Sequence, residues 1–221
     1  MPNQLIDQFG RSIEYVRLSV TDRCDFRCVY CMSENMTFLP KRELLTLEEL
    51  DRLCSAFVSL GVEKLRITGG EPLVRPELPE IAHRLGALAG IEDLSLSTNA
   101  SRLAKYASRL KASGITRLNI SLDSLDTETF KGLTGGRLEK VLVGIAAARE
   151  AGFAPIKINM VVMRGVNDHE VNDMVEFCRR EGLTLRLIEA MPIGPGGQEA
   201  QDHYMPLSEV EQRLRKQYRL S

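Results

Sequence analysis

The chain has no tryptophan, only three histidines, almost no excess charge and no long apolar run. Its 29 Lys and Arg residues balance 30 Asp and Glu residues, for a formal net charge of -1, so composition does not favour a nucleic-acid partner. The opening residues, MPNQLIDQFGRSIEY, lack the apolar core of a secretion signal, and nowhere do about eighteen apolar residues follow one another. We therefore expect a cytoplasmic protein that binds neither nucleic acid nor membrane.

The cysteines are few and unevenly placed, because three of the five, Cys24, Cys28 and Cys31, lie within eight positions. This C-x3-C-x2-C spacing favours metal or redox chemistry over disulfides. A 4Fe-4S cluster normally takes four cysteines, so three would leave one iron open to another ligand, which suggests catalysis. Structural zinc normally needs four protein ligands and is the alternative, with a distant fourth ligand. Cys54 and Cys178 lie among apolar neighbours and are expected to be buried, inert thiols.

Six short β-rich segments alternate with amphipathic segments of helical periodicity. We predict strands at 15–21, 64–70, 93–99, 117–123, 156–163 and 184–191. We predict helices at 46–61, 75–90, 101–114, 137–152, 168–182 and 206–220. Strands that alternate with helices of this length imply right-handed βαβ units and a parallel sheet.

The predicted strands alternate apolar with polar residues, as in Leu65 and Ile67 beside Arg66. Parallel strands buried on both faces would instead be apolar almost throughout, so one face of this sheet should be polar. Arg17 and Lys157 share the polar face with Arg66. Six strands can form an open barrel with room for a polar ligand. We therefore predict an α/β fold, an open (β/α)6 partial TIM barrel with parallel strands; an open doubly wound sheet is the alternative.

Two motifs, C-x3-C-x2-C with Tyr30 before its last cysteine and TGGEP at 68–72, resemble those of the radical S-adenosylmethionine (radical SAM) enzymes. The resemblance implies a 4Fe-4S cluster on the three clustered cysteines, with the amino and carboxylate groups of SAM on its open iron. It implies that an electron from an external donor cleaves SAM to a 5'-deoxyadenosyl radical, with no catalytic side chain beyond the cluster and this radical. The SAM contacts that it implies are Tyr30, Gly70, Glu71, Ser121 and Met191.

Five longer segments narrow the resemblance: GRSIEYVRLSVTDRCDFRCVYCM (10–32), LRITGGEPLVR (65–75), LNISLDSLD (118–126), KINMVVMRGVND (157–168) and LRLIEAMPIG (185–194). Together they resemble the GTP 3',8-cyclases, lyases that catalyse the first step of molybdenum cofactor biosynthesis. The resemblance implies GTP as substrate and (8S)-3',8-cyclo-7,8-dihydroguanosine 5'-triphosphate as product. The GTP contacts that it implies are Arg17, Arg66, Ser97 and Lys157, and fixed cations suit a triphosphate.

The chain differs from that family at its C-terminal end. The family has a C-terminal region with three further cysteines for a second 4Fe-4S cluster, and this sequence stops at Ser221 without them. We expect residues 1–200 to form the radical SAM partial-barrel domain and 201–221 to begin a truncated C-terminal extension. A radical SAM peptide-modifying enzyme and a non-catalytic, truncated cluster-binding paralogue stay open as alternatives, as does a homodimer.

Overall fold

A computed structural model describes residues 4–31, 36–191 and 200–219. Its strands are β1 (Tyr15–Ser19), β2 (Lys64–Thr68), β3 (Asp93–Thr98), β4 (Arg117–Ser121), β5 (Ile156–Val162) and β6 (Thr184–Glu189). Its helices are α1 (Leu47–Ser59), α2 (Leu78–Gly86), α3 (Leu103–Ala112), α4 (Thr127–Thr134), α5 (Leu138–Glu150), α6 (Val171–Glu181) and α7 (Leu207–Arg215). Met32 and residues 192–194, which belong to the segments quoted for the resemblance, lie outside the described residues.

The six strands form one parallel sheet in the order β1-β2-β3-β4-β5-β6. In the part of the chain that the structure describes, the sheet does not close into a barrel. All six predicted strands are present, and each ends one or two residues earlier than predicted because the last positions begin the following loop. The predicted α/β fold with an open six-stranded sheet is therefore confirmed.

Side chains alternate in burial along the strands, as the sequence predicts. In β2, Leu65 and Ile67 are fully buried, whereas Arg66 between them is half-buried. The same alternation runs through all seven residues of β5. Ser95 in β3 and Asn119 in β4 are polar and nevertheless buried. One face of these strands thus supplies the apolar core, while the other carries polar side chains.

Helix α4 is absent from the sequence-based prediction, although its ends carry ordinary signals. The Asp126 side chain accepts a hydrogen bond from the Thr129 N–H at 2.8 Å, which caps the first turn. Gly135 ends the helix at φ 66°, a left-handed conformation that favours glycine. The helix has only eight residues, so its apolar periodicity is too short to recognise without these caps.

Contacts divide the chain into two compact units. The first comprises Met1–Asp25, Thr37–Asn119 and Lys140–Pro155, and the second comprises Phe26–Met36, Ile120–Glu139 and Ile156–Ser221. In the first unit α2 packs against α1, α3 and β3, and in the second α6 and α7 pack against β6. This division does not test the predicted domain boundary at residue 200, which stays a prediction. None of the helices in the described ranges combines the length and apolar character that crossing a bilayer requires.

Candidate functional site

The loop that follows β1, residues 20–31, is here called the cysteine loop. It carries Cys24 and Cys28, which are half-buried, and Cys31, which is exposed; no disulfide links any cysteines of the chain. Although Cys31 is exposed as a residue, partial desolvation of its sulfur raises the pKa of the thiol. Across residues 4–31, 36–191 and 200–219, no group of three or more His, Cys, Asp or Glu side chains is arranged to hold a metal ion. The cysteine ligands of an iron–sulfur cluster need not converge on a single ion, since each thiolate binds a different iron atom.

A glycine turn, Gly69–Gly70–Glu71, lies against the first part of the cysteine loop. The Gly70 N–H donates to the Thr21 carbonyl at 2.8 Å, and the Glu71 N–H donates to the Arg23 carbonyl at 2.8 Å. A Cβ on Gly70 would lie 2.4 Å from the Arg23 carbonyl oxygen, and one on Gly69 would lie 2.5 Å from that of Thr21. Only glycine allows the two backbones to approach this closely.

The carboxyl group of Glu71 holds the glycine turn against the end of β3. It accepts hydrogen bonds from the Leu73 N–H at 2.9 Å, the Thr98 hydroxyl at 2.7 Å and the Asn99 N–H at 2.6 Å. The side chain is 1% exposed, and this burial raises its pKa to about 7 although the hydrogen bonds oppose the shift. The structure thereby adds a positioning role for Glu71 to its predicted contact with SAM.

Asp25, next to Cys24, is held by three side chains that follow β3. Its carboxylate accepts from Asn99 Nδ2 at 2.8 Å, from Ser101 Oγ at 2.8 Å and from Arg102 Nε at 3.1 Å. Partial burial raises the pKa of Asp25, but the hydrogen bonds outweigh it and leave the pKa below its ordinary value. Sequence reasoning did not assign these residues to the site: Asn99 ends the strand predicted at 93–99, and Ser101 and Arg102 begin the helix predicted at 101–114.

In the second unit, the end of α4 binds the later part of the cysteine loop. The N–H groups of Arg27 and Val29 donate to the carbonyls of Thr134 and Leu133, at 2.8 and 3.0 Å. These two bonds flank Cys28 on both sides in the chain. The helix that sequence patterns do not reveal therefore fixes the backbone around Cys28.

Tyr30 is anchored by a buried carboxyl group, that of Asp123. The Tyr30 hydroxyl donates to Asp123 Oδ2 at 2.6 Å, and the Val161 N–H donates to Oδ1 at 2.8 Å. Burial raises the pKa of Asp123 to about 6, and burial together with the neighbouring Asp123 charge raises the pKa of Tyr30 well above its ordinary value. The phenol therefore keeps its proton at neutral pH and keeps the ring in place beside Cys31.

Two of the predicted GTP contacts, Arg17 and Arg66, are direct cross-strand neighbours. Arg17 is exposed, and the half-buried Arg66 donates from Nε to Ser95 Oγ at 3.4 Å and lies over the Tyr15 ring at 5.4 Å. Among the described residues, no carboxylate lies within ion-pair distance of either guanidinium. Like charges on neighbouring strands repel each other, so an anion bound there would be stabilising.

Four other predicted contacts lie at four places along the sheet. Ser97 is a half-buried residue of β3, Ser121 is the last residue of β4, and Lys157 is half-buried in β5. Met191 follows β6 and is 62% exposed, so it is not a core residue. Cofactor or substrate contact of these four residues stays a prediction.

The remaining two cysteines are buried thiols, as predicted. Cys54 in α1 is 0% exposed and Cys178 in α6 is 2% exposed. Burial raises the pKa of each thiol to about 11, with a contribution at Cys54 from the charge of Asp51. Neither is therefore a thiolate at neutral pH.

The free energy of unfolding is expected to fall as pH rises from about 4.5 to about 7. In this window unfolded Glu71 loses its proton near its ordinary pKa of 4.5, whereas the folded protein keeps it up to about 7. Asp123, raised from 3.8 to about 6, acts in the same direction. Urea unfolding followed across this window should show a smaller decline for Glu71→Gln, by roughly 3 kcal/mol. The exposed control Glu92→Gln should decline as the wild type does, and equal declines in all three proteins would contradict the assignment.

The sequence of the chain matches a protein-family model and is similar to curated proteins. Residues 18–178 match the model of the Radical SAM superfamily. A GTP 3',8-cyclase of Rhizobium etli is 51% identical over 220 residues, covering 98% of this chain and 63% of that relative. One from Nitrobacter hamburgensis is 51% identical over 222 residues, covering 99% and 64%. The chain thus spans less than two thirds of the length of these curated relatives.

Solved structures agree on the fold. Streptococcus suis SuiB bound to S-adenosylmethionine has a TM-score of 0.74 at 18% identity, covering 92% of this chain and 46% of SuiB. Escherichia coli coproporphyrinogen III oxidase, described as a radical SAM enzyme, has a TM-score of 0.63 at 15% identity, covering 91% and 52%. At these identities the likeness shows the fold alone. Because the family model extends from β1 into α6 and covers most of the chain, the chain belongs to the radical SAM superfamily.

Proposed function

We propose that this chain is the radical SAM part of a GTP 3',8-cyclase, which converts GTP to (8S)-3',8-cyclo-7,8-dihydroguanosine 5'-triphosphate in molybdenum cofactor biosynthesis. The observation that carries the proposal is the identity of about half of all residues across 98% of the chain to enzymes of that name. Residues 1–200 form its barrel domain, and 201–221 begin the C-terminal part. Thiolate ligands suit a reducing cytoplasm, where disulfides are rare.

The residues of the cysteine loop fit an iron–sulfur cluster, because thiolates are its usual protein ligands and Cys24, Cys28 and Cys31 bring three of them. Enzymes of this family bind a 4Fe-4S cluster and SAM, and together these supply one-electron chemistry that begins with the reductive cleavage of SAM. The electron comes from an external donor. What the chain itself contributes is hydrogen bonding to the backbone of the loop: the glycine turn binds its first part in the first unit, and α4 binds its later part in the second unit.

SAM is held, in this proposal, by Tyr30, Gly70, Glu71, Ser121 and Met191. The clearest support is at Tyr30, whose ring is fixed by the 2.6 Å hydrogen bond to Asp123 and packs beside Leu133, Met163 and Ala190. Gly70 allows the glycine turn to lie close against the cysteine loop, so the backbone of Gly70 is available to SAM beside the proposed cluster ligands. A fixed, water-poor surrounding suits radical chemistry, since solvent would quench a carbon radical.

The triphosphate of GTP is held by Arg17, Arg66 and Lys157, with Ser97 as a further contact. The support is the pair of arginines on β1 and β2, which are cross-strand neighbours and have no carboxylate within ion-pair distance among the described residues. A triphosphate would remove their mutual repulsion and accept several charged hydrogen bonds. The carboxyl group of Asp123, which follows β4, is bonded to Tyr30 and Val161.

Arg17→Ala and Lys157→Ala are each expected to weaken GTP binding by roughly 1.5–3 kcal/mol, which is the contribution of a charged hydrogen bond. SAM binding should be unchanged, since neither residue is a proposed SAM contact. Calorimetric titration of the reconstituted protein measures both affinities. Arg109→Ala, a matched substitution at an exposed position of α3, should alter neither. Unchanged GTP affinity in both variants would refute the assignment of the phosphate site.

The proposed activity is tested by anaerobic reconstitution with iron and sulfide, followed by dithionite and SAM. We expect release of 5'-deoxyadenosine, and its absence would favour a non-catalytic cluster-binding protein. Adding GTP that carries deuterium at C3' then tests the substrate: deuterium should appear in 5'-deoxyadenosine. This readout does not require complete cyclisation. Cleavage of SAM without deuterium transfer would refute GTP as the substrate and favour another one, such as a peptide.

A further inference from the structure

We infer that Asn99 is a positioning residue for the cluster site, where its carboxamide holds Asp25 and donates to the sulfur of Cys24. The inference rests on the proposed function, because it names the side chain that orients one of the three proposed cluster ligands. Asn99 follows β3 directly and is 8% exposed. It lies 75 positions from Cys24 in the sequence, so only the fold brings the two together.

Every polar group of Asn99 that could fix its orientation is engaged. Its backbone N–H donates to the Glu71 carboxyl group at 2.6 Å, and its side-chain Oδ1 accepts from the Ser101 backbone N–H at 2.9 Å. Its Nδ2 donates to Asp25 Oδ1 at 2.8 Å and lies 3.9 Å from Cys24 Sγ. The carboxamide therefore cannot rotate without breaking a hydrogen bond at its oxygen or at its nitrogen. Its Nδ2 group stays directed at the cysteine loop.

The hydrogen bonds that hold Asp25 also restrict the position of Cys24, because the two residues are neighbours in the chain. Beside the bond from Asn99, the Asp25 carboxylate accepts from Ser101 Oγ at 2.8 Å and Arg102 Nε at 3.1 Å. Hydrogen bonds to an ionised group are about twice as strong as neutral ones. Residues that orient metal ligands in this way commonly decide how well a site is formed.

The contact with sulfur adds a second effect. A reduced iron–sulfur cluster carries one more negative charge than the oxidised one, so an N–H directed at a ligand sulfur stabilises the reduced form. Asn99 therefore raises the reduction potential of a cluster bound at Cys24. The two effects of Asn99 depend on different acceptors, the Asp25 carboxylate and the Cys24 sulfur, and different variants separate them.

Three variants distinguish these effects. N99D keeps an oxygen that can accept from the Ser101 N–H, but it replaces the Nδ2 donor by an oxygen that faces the Asp25 carboxylate. The double variant N99D/D25N exchanges the two side chains, so that a donor and an acceptor again face each other. N99A removes both ends without adding charge. Asn172→Asp, the same substitution at an exposed position of α6, is the control.

The first measurement is the pH-independent rate constant with which iodoacetamide labels the thiolates of Cys24 and Cys31 in the metal-free full chain. It is read by mass spectrometry over a range of pH, which separates the exposure of a thiol from any change in its pKa caused by the new carboxylate. We expect N99D to speed the labelling of Cys24 roughly tenfold, the order set by losing a charged hydrogen bond. N99D/D25N should return to nearly the wild-type rate, and the exposed Cys31 should react equally in all proteins. Wild-type labelling in N99D, or equal acceleration of both cysteines, would overturn the inference.

The second measurement is the midpoint potential of the reconstituted cluster, followed by electron paramagnetic resonance during a redox titration. N99A, N99D and N99D/D25N should all have lower potentials than the wild type, because none retains the N–H at position 99. An unchanged potential in N99A would overturn the sulfur contact. If the wild type takes up no cluster, the proposed function fails, whereas the labelling experiment still decides whether Asn99 holds the loop.

Discussion

Replacing any one of Cys24, Cys28 or Cys31 by alanine is expected to reduce cluster iron to background and to abolish release of 5'-deoxyadenosine. Three thiolates are the smallest donor set that can hold a 4Fe-4S cluster with one open iron, so no redundancy exists. Iron content and the visible and paramagnetic resonance spectra of the reconstituted variants measure cluster formation. High-performance liquid chromatography of the SAM reaction measures the product.

Cys54→Ala is the matched control for this prediction. Its thiol is fully buried in α1 and has a pKa of about 11, so it is neither accessible nor ionised at neutral pH. The loss of one buried sulfur should lower the free energy of unfolding of the variant by about 1 kcal/mol. Its iron content should stay at the wild-type value. Loss of iron in Cys54→Ala, or a complete cluster in Cys31→Ala, would show that the ligands are wrongly assigned.

Gly70→Ala is expected to destabilise the protein by roughly 2–5 kcal/mol and to prevent SAM cleavage. The added methyl group would lie 2.4 Å from the Arg23 carbonyl oxygen, which is backbone and cannot rotate away. The cysteine loop would have to move, and the bonds of Gly70 to Thr21 and of Glu71 to Arg23 would break. Urea unfolding of the metal-free chain measures the loss of stability, and iron content measures the effect on the cluster site.

Gly132→Ala is the same chemical change as Gly70→Ala, but it is expected to have the opposite effect on stability. Gly132 lies within α4, and a Cβ there would meet nothing within 4 Å. Alanine is the better helix former, so the variant should be more stable by up to about 1 kcal/mol and should keep its iron. Similar losses in the two glycine variants would mean that the close approach of the glycine turn to the cysteine loop is not what requires Gly70.

The strands and the polar face of the sheet were predictable because their signal is local. A strand directs alternate residues to opposite faces, so the pattern around Arg66 in β2 can be recognised within five residues. The three clustered cysteines and the glycine turn were recognisable for a similar reason, since each motif is short and continuous. Helix α4 was missed because eight residues give little periodicity, although Asp126 and Gly135 mark both its ends.

The supports of the cysteine loop could not be predicted in this way. Asp25 and Asn99 are 74 positions apart, and Tyr30 and Asp123 are 93 apart, so no local pattern links either pair. The amino-acid sequence by itself determined the positions of the six strands, their buried face and the clustering of three cysteines, because these depend on spacing along the chain. Only the tertiary structure decided which polar groups hold the thiols in place, because hydrogen bonds form between atoms that folding brings within about 3 Å.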